Sequence, residues 1–120
     1  MTVVTELHES IGWSASGLVP TASDLVTFAR GLFGGTLFDN PETLVEMTTP
    51  APHSANGLGV MLQRETMGHA GGIAGFRSVL NYAPELDAVV VILYNHDGAD
   101  PEQSLVDMMN PVLPLLSVAE

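Results

Sequence analysis

An uninterrupted apolar run, Ala88-Val89-Val90-Val91-Ile92-Leu93-Tyr94, stands in the last third of the chain. Apolar, largely β-branched residues at both alternating positions fit a strand that is buried on both faces, so the run predicts a strand central to a sheet and covered by helices on both sides. Upstream the period is helical. Leu25, Val26, Phe28, Ala29, Leu32 and Phe33 recur on one face behind Thr21 and Asp24, which have the spacing of a capping box, and Gly34-Gly35 follows. These signals predict a helix over 22–33. Asn40 before Pro41 reads as a cap and first helical residue, giving a shorter helix over 41–48 with Leu44, Val45 and Met47 on its buried side and Pro50 at its end. Past the loop 50–56 the period turns strand-like: residues 57–64 form one strand, the next begins over 66–69, and 77–83 alternates. Pro84-Glu85-Leu86-Asp87 supplies turn residues into 88–94. Asp100-Pro101-Glu102 opens a terminal helix through Leu105, Val106, Met108 and Met109, bent or broken at Pro111 and Pro114. Residues 1–20 show no clear period, and Trp13 with Ile11 is expected to pack against the core from a loop. The order helix, helix, antiparallel strands, helix predicts an α+β fold: an antiparallel sheet of three to four strands with flanking helices.

Composition adds to this picture in three places. A chain of 120 residues is the size of one domain and buries on the order of two-thirds of its unfolded surface. Hydrophobic residues at 46% against 14% charged leave apolar surface over for a partner. The net charge of −11, with three arginines and no lysine, argues against nucleic acid or an anionic membrane as that partner. No apolar run reaches the roughly 18 residues of a membrane span, and the first residues lack the basic start and apolar core of a signal peptide, which predicts a soluble chain. The absence of cysteine leaves the compartment open.

Candidate chemistry concentrates in Gly68-His69-Ala70-Gly71-Gly72-Ile73-Ala74-Gly75-Phe76-Arg77-Ser78. The glycines mark either a bulge and tight turn between antiparallel strands or a backbone left open to close approach, and both readings hold together. His69 reads either as a hydrogen-bonded structural histidine or as a titratable group of a site. Ser78 has no base near it in sequence and reads as a strand residue. Ser14-Ala15-Ser16-Gly17 lacks the leading glycine of a Gly-x-Ser-x-Gly elbow. His8, His53, His69 and His96 form no i, i+4 pair, so a zinc site has no support, and no phosphate loop is present. No cofactor is expected.

From about Gly17 to Asn95 the chain resembles the C-terminal part of the serine β-lactamase-related family, which includes class C β-lactamases, D-alanyl-D-alanine carboxypeptidases and related esterases. The likeness rests on Gly17-Leu18-Val19-Pro20-Thr21-Ala22-Ser23-Asp24-Leu25, Phe28-Ala29, Gly57-Leu58-Gly59-Val60, the segment from Gly68 to Ser78, and the run from Val89 to Asn95, in that order and spacing. The resemblance implies part of a β-lactamase/transpeptidase-like fold and a reaction in which an amide or ester carbonyl acylates a serine and water then frees the enzyme. Members carry Ser-x-x-Lys, Tyr-x-Asn and a Lys/His-x-Gly strand. Only the third is here, as His69-Ala70-Gly71. By resemblance His69 is an electrostatic or proton-relay group, Ala70 and Gly71 line the substrate, and the amide of Gly72 is one of two oxyanion donors. The departures are equally specific. Without lysine there is no Ser-x-x-Lys; Tyr82 precedes Ala83-Pro84 and Tyr94 precedes Asn95-His96, so neither begins Tyr-x-Asn. Ala70 replaces the hydroxyl residue that often helps to hold a substrate carboxylate. The chain alone is therefore expected to be inactive. The implied partner is the N-terminal half of the same fold, on the same gene or a separate chain, or a second copy joined through the 88–94 strand edge. A non-catalytic binding or oligomerisation module on the same scaffold is the competing expectation.

Overall fold

In the computed structural model, which describes residues 10, 12–63 and 65–112, three of the four helices begin at caps that the sequence encodes. The elements are α1 (Trp13–Ser16), α2 (Ala22–Phe33), α3 (Pro41–Met47), β1 (Met61–Gln63), β2 (Thr66–Ile73), β3 (Phe76–Ala83), β4 (Ala88–Tyr94) and α4 (Pro101–Met109). Thr21 sits extended ahead of α2. The Asp24 amide donates to its hydroxyl oxygen at 3.2 Å, while the Asp24 carboxylate accepts from the Thr21 hydroxyl at 2.7 Å and the Thr21 amide at 2.9 Å. These bonds to the ionised form, the hydroxyl's foremost, hold the Asp24 carboxyl below its ordinary value of 3.8. Gly34 caps the far end, and Gly35 at φ 75° turns the chain out of the helix. Asn40 accepts from the Glu42 amide ahead of Pro41 in α3, and Asp100 accepts from the Gln103 amide ahead of Pro101 in α4. The terminal helix stops at Met109, short of Pro111; Pro114 lies outside the described residues.

The strands form one antiparallel sheet in the order β1-β2-β3-β4. Ala74-Gly75 joins β2 to β3, with Gly75 at φ 80°, and aligns His69 with Leu80, Gly71 with Ser78 and Gly72 with Arg77. Between β3 and β4 a 3-10 turn over Pro84–Leu86 ends at Asp87, which adopts φ 43°. β1 is shorter than the strand expected over 57–64. A turn in which the Gly57 amide bonds the Val60 carbonyl, with Gly59 at φ 71°, takes up the first half, and Arg64 lies outside the described residues.

Side chains alternate between two covered faces. On one, Leu62, Met67, Leu80, Tyr82 and Val89 pack against a cluster of Ala29, Leu32, Phe33 and Val60, joined by Phe38, Leu44 and Met47. Phe33 stacks on Tyr82 with ring centroids 5.2 Å apart. On the other, Val79 is buried beneath α4, whose Ser104 hydroxyl meets the Tyr94 hydroxyl at 3.0 Å and whose Pro101 is buried. β4 thus has a helix over each face, as its apolar run implies, yet among the described residues it is the edge of the sheet and not its centre. A clasp ties α2 to the start of β4: the Arg30 guanidinium donates to both carboxylate oxygens of Asp87 at 3.0 Å and to its carbonyl at 3.1 Å.

Three side chains depart from the faces expected of them. Trp13 is 82% exposed. Among the described residues its one-turn helix bonds only to itself, through the Ala15 and Ser16 amides to the Gly12 carbonyl, and the core cluster there does not include it; Ile11 lies outside the described residues. Val45 is 65% exposed because Leu44 and Met47, three apart, define the inner stripe of α3 and Val45 falls a hundred degrees away from Leu44. Phe28 is half-exposed at the margin of α2.

The depressed Asp24 titration has a defined sign. A carboxyl whose pKa is lowered on folding stabilises the fold above the ordinary carboxylate value and loses that contribution as pH falls through the folded value. Thr21→Val should raise the Asp24 carboxyl titration, followed by NMR, toward 3.8. It should also lower the thermal midpoint at neutral pH, by an amount that shrinks in acid.

Candidate functional site

The site begins with the length of β1. Met61, Leu62 and Gln63 pair with Gly68, Met67 and Thr66, so β2 has a neighbour on that side only as far as Gly68. The two-residue connection makes Ile73 and Phe76 the closing hydrogen-bonded pair, and in an antiparallel ladder the bonding direction alternates from there. His69, Gly71 and Ile73 therefore direct N–H and C=O toward β3. Ala70 and Gly72 direct theirs outward, where no strand pairs with them among the described residues. A segment of β2 is left as an open edge, with a free donor and acceptor at each of two alternate residues.

Each sequence-predicted site residue has a definite place on this edge. His69 is exposed on the face that carries α2, level with Leu80, and its ring makes no hydrogen bond or ion pair among the described residues. Among the described residues no hydrogen bond therefore fixes the imidazole in place. Ala70 is half-buried and, with Gly72, belongs to the α4 face; Gly71 is exposed beside Ser78. Ser78 lies within β3, as expected of a strand residue, and a Cβ on Gly71 would come within 2.5 Å of its hydroxyl oxygen. The Ser78 hydroxyl makes no hydrogen bond among the described residues, so no base there is placed to take its proton.

Arg77 is the residue that sequence reasoning passed over. Paired with Gly72, it lays its guanidinium over the space that a Gly72 side chain would fill, so a Cβ there would collide with Nη1. Its Nε donates to the Asp97 carbonyl at 3.0 Å, and among the described residues it forms no ion pair. The signal that could have found it is the register: once a two-residue turn is assumed at Ala74-Gly75, residues 72 and 77 must face each other. Gly72 and Arg77 share a recess of about 500 Å³ with the loop after β4 and the first turn of α4, where Asp97, Asp100 and Glu102 are placed. A second recess of about 310 Å³ lies under α4 between Gly68, Ala70, Val79 and Leu105. Both open on the α4 side of the free edge.

The arrangement offers backbone hydrogen bonds to an extended ligand, an imidazole on one face and a mixed-charge recess on the other. Comparison with protein-family models, with curated proteins and with solved structures finds no match to this chain. No helix among the described residues is long and apolar enough to cross a membrane.

The glycines separate by what opposes them. A Cβ on Gly68 would meet backbone, the Leu80 carbonyl and the Asn81 Cα at 3.0 Å, whereas one on Gly72 would meet only the end of a long side chain. Gly68→Ala is expected to destabilise by about 3 kcal/mol in urea unfolding, the range of an overpacked core. Gly72→Ala should leave the midpoint nearly unchanged and instead move the Arg77 Nε resonance.

Proposed function

We propose that this chain is the C-terminal groove wall of a serine acyl hydrolase of the β-lactamase/D-alanyl-D-alanine carboxypeptidase type, and that it is catalytically inert without the half that carries the nucleophile. The observation that supports this most is the outward amide of Gly72, on an open strand edge and three residues after an exposed, unbonded histidine. In the complete site a carbonyl lying along that edge is attacked by a serine supplied from outside the chain. Charge develops on the carbonyl oxygen in the tetrahedral intermediate, and the Gly72 N–H donates to it. His69 stands on the adjoining face as an electrostatic or proton-relay group. Ala70 and Gly71 line the substrate with little bulk. Ala70 offers no hydroxyl for a substrate carboxylate.

The need for a partner has independent support in how little this chain buries. Among the described residues six apolar side chains are buried, Ala29, Leu32, Phe33, Val60, Val79 and Pro101, whereas fourteen large ones are exposed. Among the described residues β4 ends the sheet, with no charged residue along it. The N-terminal half of the same fold is the partner that this reading names.

The second reading, a non-catalytic module that associates through β4, is favoured by the same edge. Continuing the alternation across β3 leaves Val89, Val91 and Leu93 with outward backbone groups, and a two-fold axis at Val91 would pair Val89 with Leu93 of a second copy.

Two measurements separate these readings. The chain alone should neither turn over p-nitrophenyl acetate or a chromogenic β-lactam nor gain covalent mass from them. Mixed with an N-terminal half bearing Ser-x-x-Lys and Tyr-x-Asn, it should restore ester turnover, and Gly72→Pro, which deletes the donor, should cut kcat by about 10²–10³. A complement that binds the chain yet restores nothing would overturn the hydrolase reading. By light scattering, the module reading expects the mass of the free chain to double with concentration and Val91→Lys to return it to one copy; a mass that stays at one copy throughout counts against it.

A further inference from the structure

The loop between β4 and α4 holds a reactive arrangement that the groove-wall reading does not use. Asp97 and Gly98 are the middle residues of a turn that the Ala99 amide closes on the His96 carbonyl at 3.3 Å. Asp-Gly occurs once in the chain. In that dipeptide the glycine nitrogen is a nucleophile that reaches the aspartate Cγ by closing a five-membered ring, and no side chain on the glycine shields it. What such a nitrogen ordinarily lacks is a base, because an amide gives up its proton reluctantly and attack waits on its removal.

His96 supplies that base. Its Nδ1 accepts from the Gly98 N–H at 3.0 Å, within the reach required of a general base. A ring nitrogen that accepts carries no proton, so its lone pair points at the proton that has to leave. The ring lies so close to the Gly98 main chain that a Cβ there would fall 2.7 Å from Cε1 and 3.2 Å from Nδ1, so the contact needs glycine. The electrophile is unengaged: the Asp97 carboxylate makes no hydrogen bond or ion pair among the described residues. Arg77 completes the arrangement from β3. Its Nε–H donates to the Asp97 main-chain carbonyl at 3.0 Å and draws charge onto that oxygen.

We propose that Asp97-Gly98 is a self-modification site with His96 as its catalytic base, where the chain converts Asp97 to isoaspartate through a cyclic imide. His96 Nδ1 takes the Gly98 amide proton as the nitrogen bonds to Cγ of the protonated Asp97 carboxyl. The imidazolium returns that proton to the departing hydroxyl, and one water leaves. Water then reopens the ring. Addition at Cγ restores aspartate. Addition at the main-chain carbonyl, whose oxygen Arg77 polarises, frees the former main-chain carboxyl as a carboxylate and routes the backbone through Cγ. No cofactor or oxidant enters. The product has one more methylene in its backbone and sets a carboxylate where Arg77 had a carbonyl, which turns a neutral acceptor into an ionised one. Asn56-Gly57 lacks such a base, since the Gly57 amide donates to the Val60 carbonyl at 2.8 Å. The proposal stands whether or not β2 is a groove wall.

The test incubates the whole chain at neutral pH and 37 °C in ¹⁸O-water, with His96→Gln and Arg77→Gln beside it, and sequences peptides spanning residue 97 by electron-transfer mass spectrometry. Each ring opening leaves one ¹⁸O in either product, so aspartate that has passed through the imide is counted with isoaspartate. His96→Gln should slow total incorporation at residue 97 at least about tenfold, while deamidation at Asn56 in the same digests keeps its rate. Arg77→Gln should leave the total unchanged and lower the ratio of isoaspartate to labelled aspartate by about half. In urea, where the turn is lost, the unaltered chain and His96→Gln should incorporate label at the same rate, which separates the folded geometry from nearness in sequence. Equal rates in the folded unaltered chain and His96→Gln would overturn the role of His96. A folded chain that takes up no label at residue 97 would overturn the site.

Discussion

The register of β2 on β3 is the constraint on which the rest of this structure depends. Two residues, Ala74 and Gly75, connect the strands, and the positive φ of Gly75 closes the turn in so short a span. That closure makes Ile73 and Phe76 a bonded pair, and everything else follows by counting in twos. It sends Met67, Leu80 and Tyr82 into the core beneath α2, places Val79 under α4, and faces Arg77 toward Gly72. It also decides which amides of β2 and β4 have partners. A slip of one residue would exchange the faces, placing Arg77 and Asn81 against Phe33 and Leu32.

The core built on that register is thin, and its few contacts span long distances in sequence. Phe33 on Tyr82 joins α2 to the sheet, and the clasp from Arg30 to Asp87 closes a span of 57 residues. Both ends of the clasp are largely solvent-exposed, at 50% and 74% of their side-chain surface. Its worth lies in orientation more than in energy, because an exposed pair contributes about 0.2–1 kcal/mol. Bonding the Asp87 carbonyl as well as its carboxylate, Arg30 holds a non-glycine residue in a left-handed conformation and so fixes where β4 starts.

Local chemistry was legible in the sequence, and geometry set by distant residues was not. Thr21 with Asp24, Asn40 with Pro41 and Asp100 with Pro101 announce helix starts because capping needs only three or four neighbouring residues. The run from Ala88 to Tyr94 announces a strand with helices on both faces for the same reason, and the α+β class follows. That β4 ends the sheet depends on what else pairs with it, which composition along β4 does not record. β1 proved short because Gly59 turns left-handed, which makes the open edge beside Ala70 and Gly72 a property of a loop some ten residues away. The His69-Ala70-Gly71-Gly72 string was legible as a strand. Its recess was not, since Asp97, Asp100 and Glu102 come from the loop and helix after β4. Trp13 shows the opposite failure: a large apolar side chain is a weak guide to burial when its own segment is too short to carry it inward.

The two open edges leave a mark on the time the backbone spends with its protons. Along β2 the amides of His69, Gly71 and Ile73 are locked in the ladder, while those of Ala70 and Gly72 between them have no strand partner among the described residues. Along β4 the same division separates Val90, Ile92 and Tyr94 from Val89, Val91 and Leu93. Hydrogen exchange in such a sheet does not fall off smoothly from centre to rim. It flickers from slow to fast at every second residue on two strands, and whatever fills either edge would silence the flicker on that strand and leave the other unchanged.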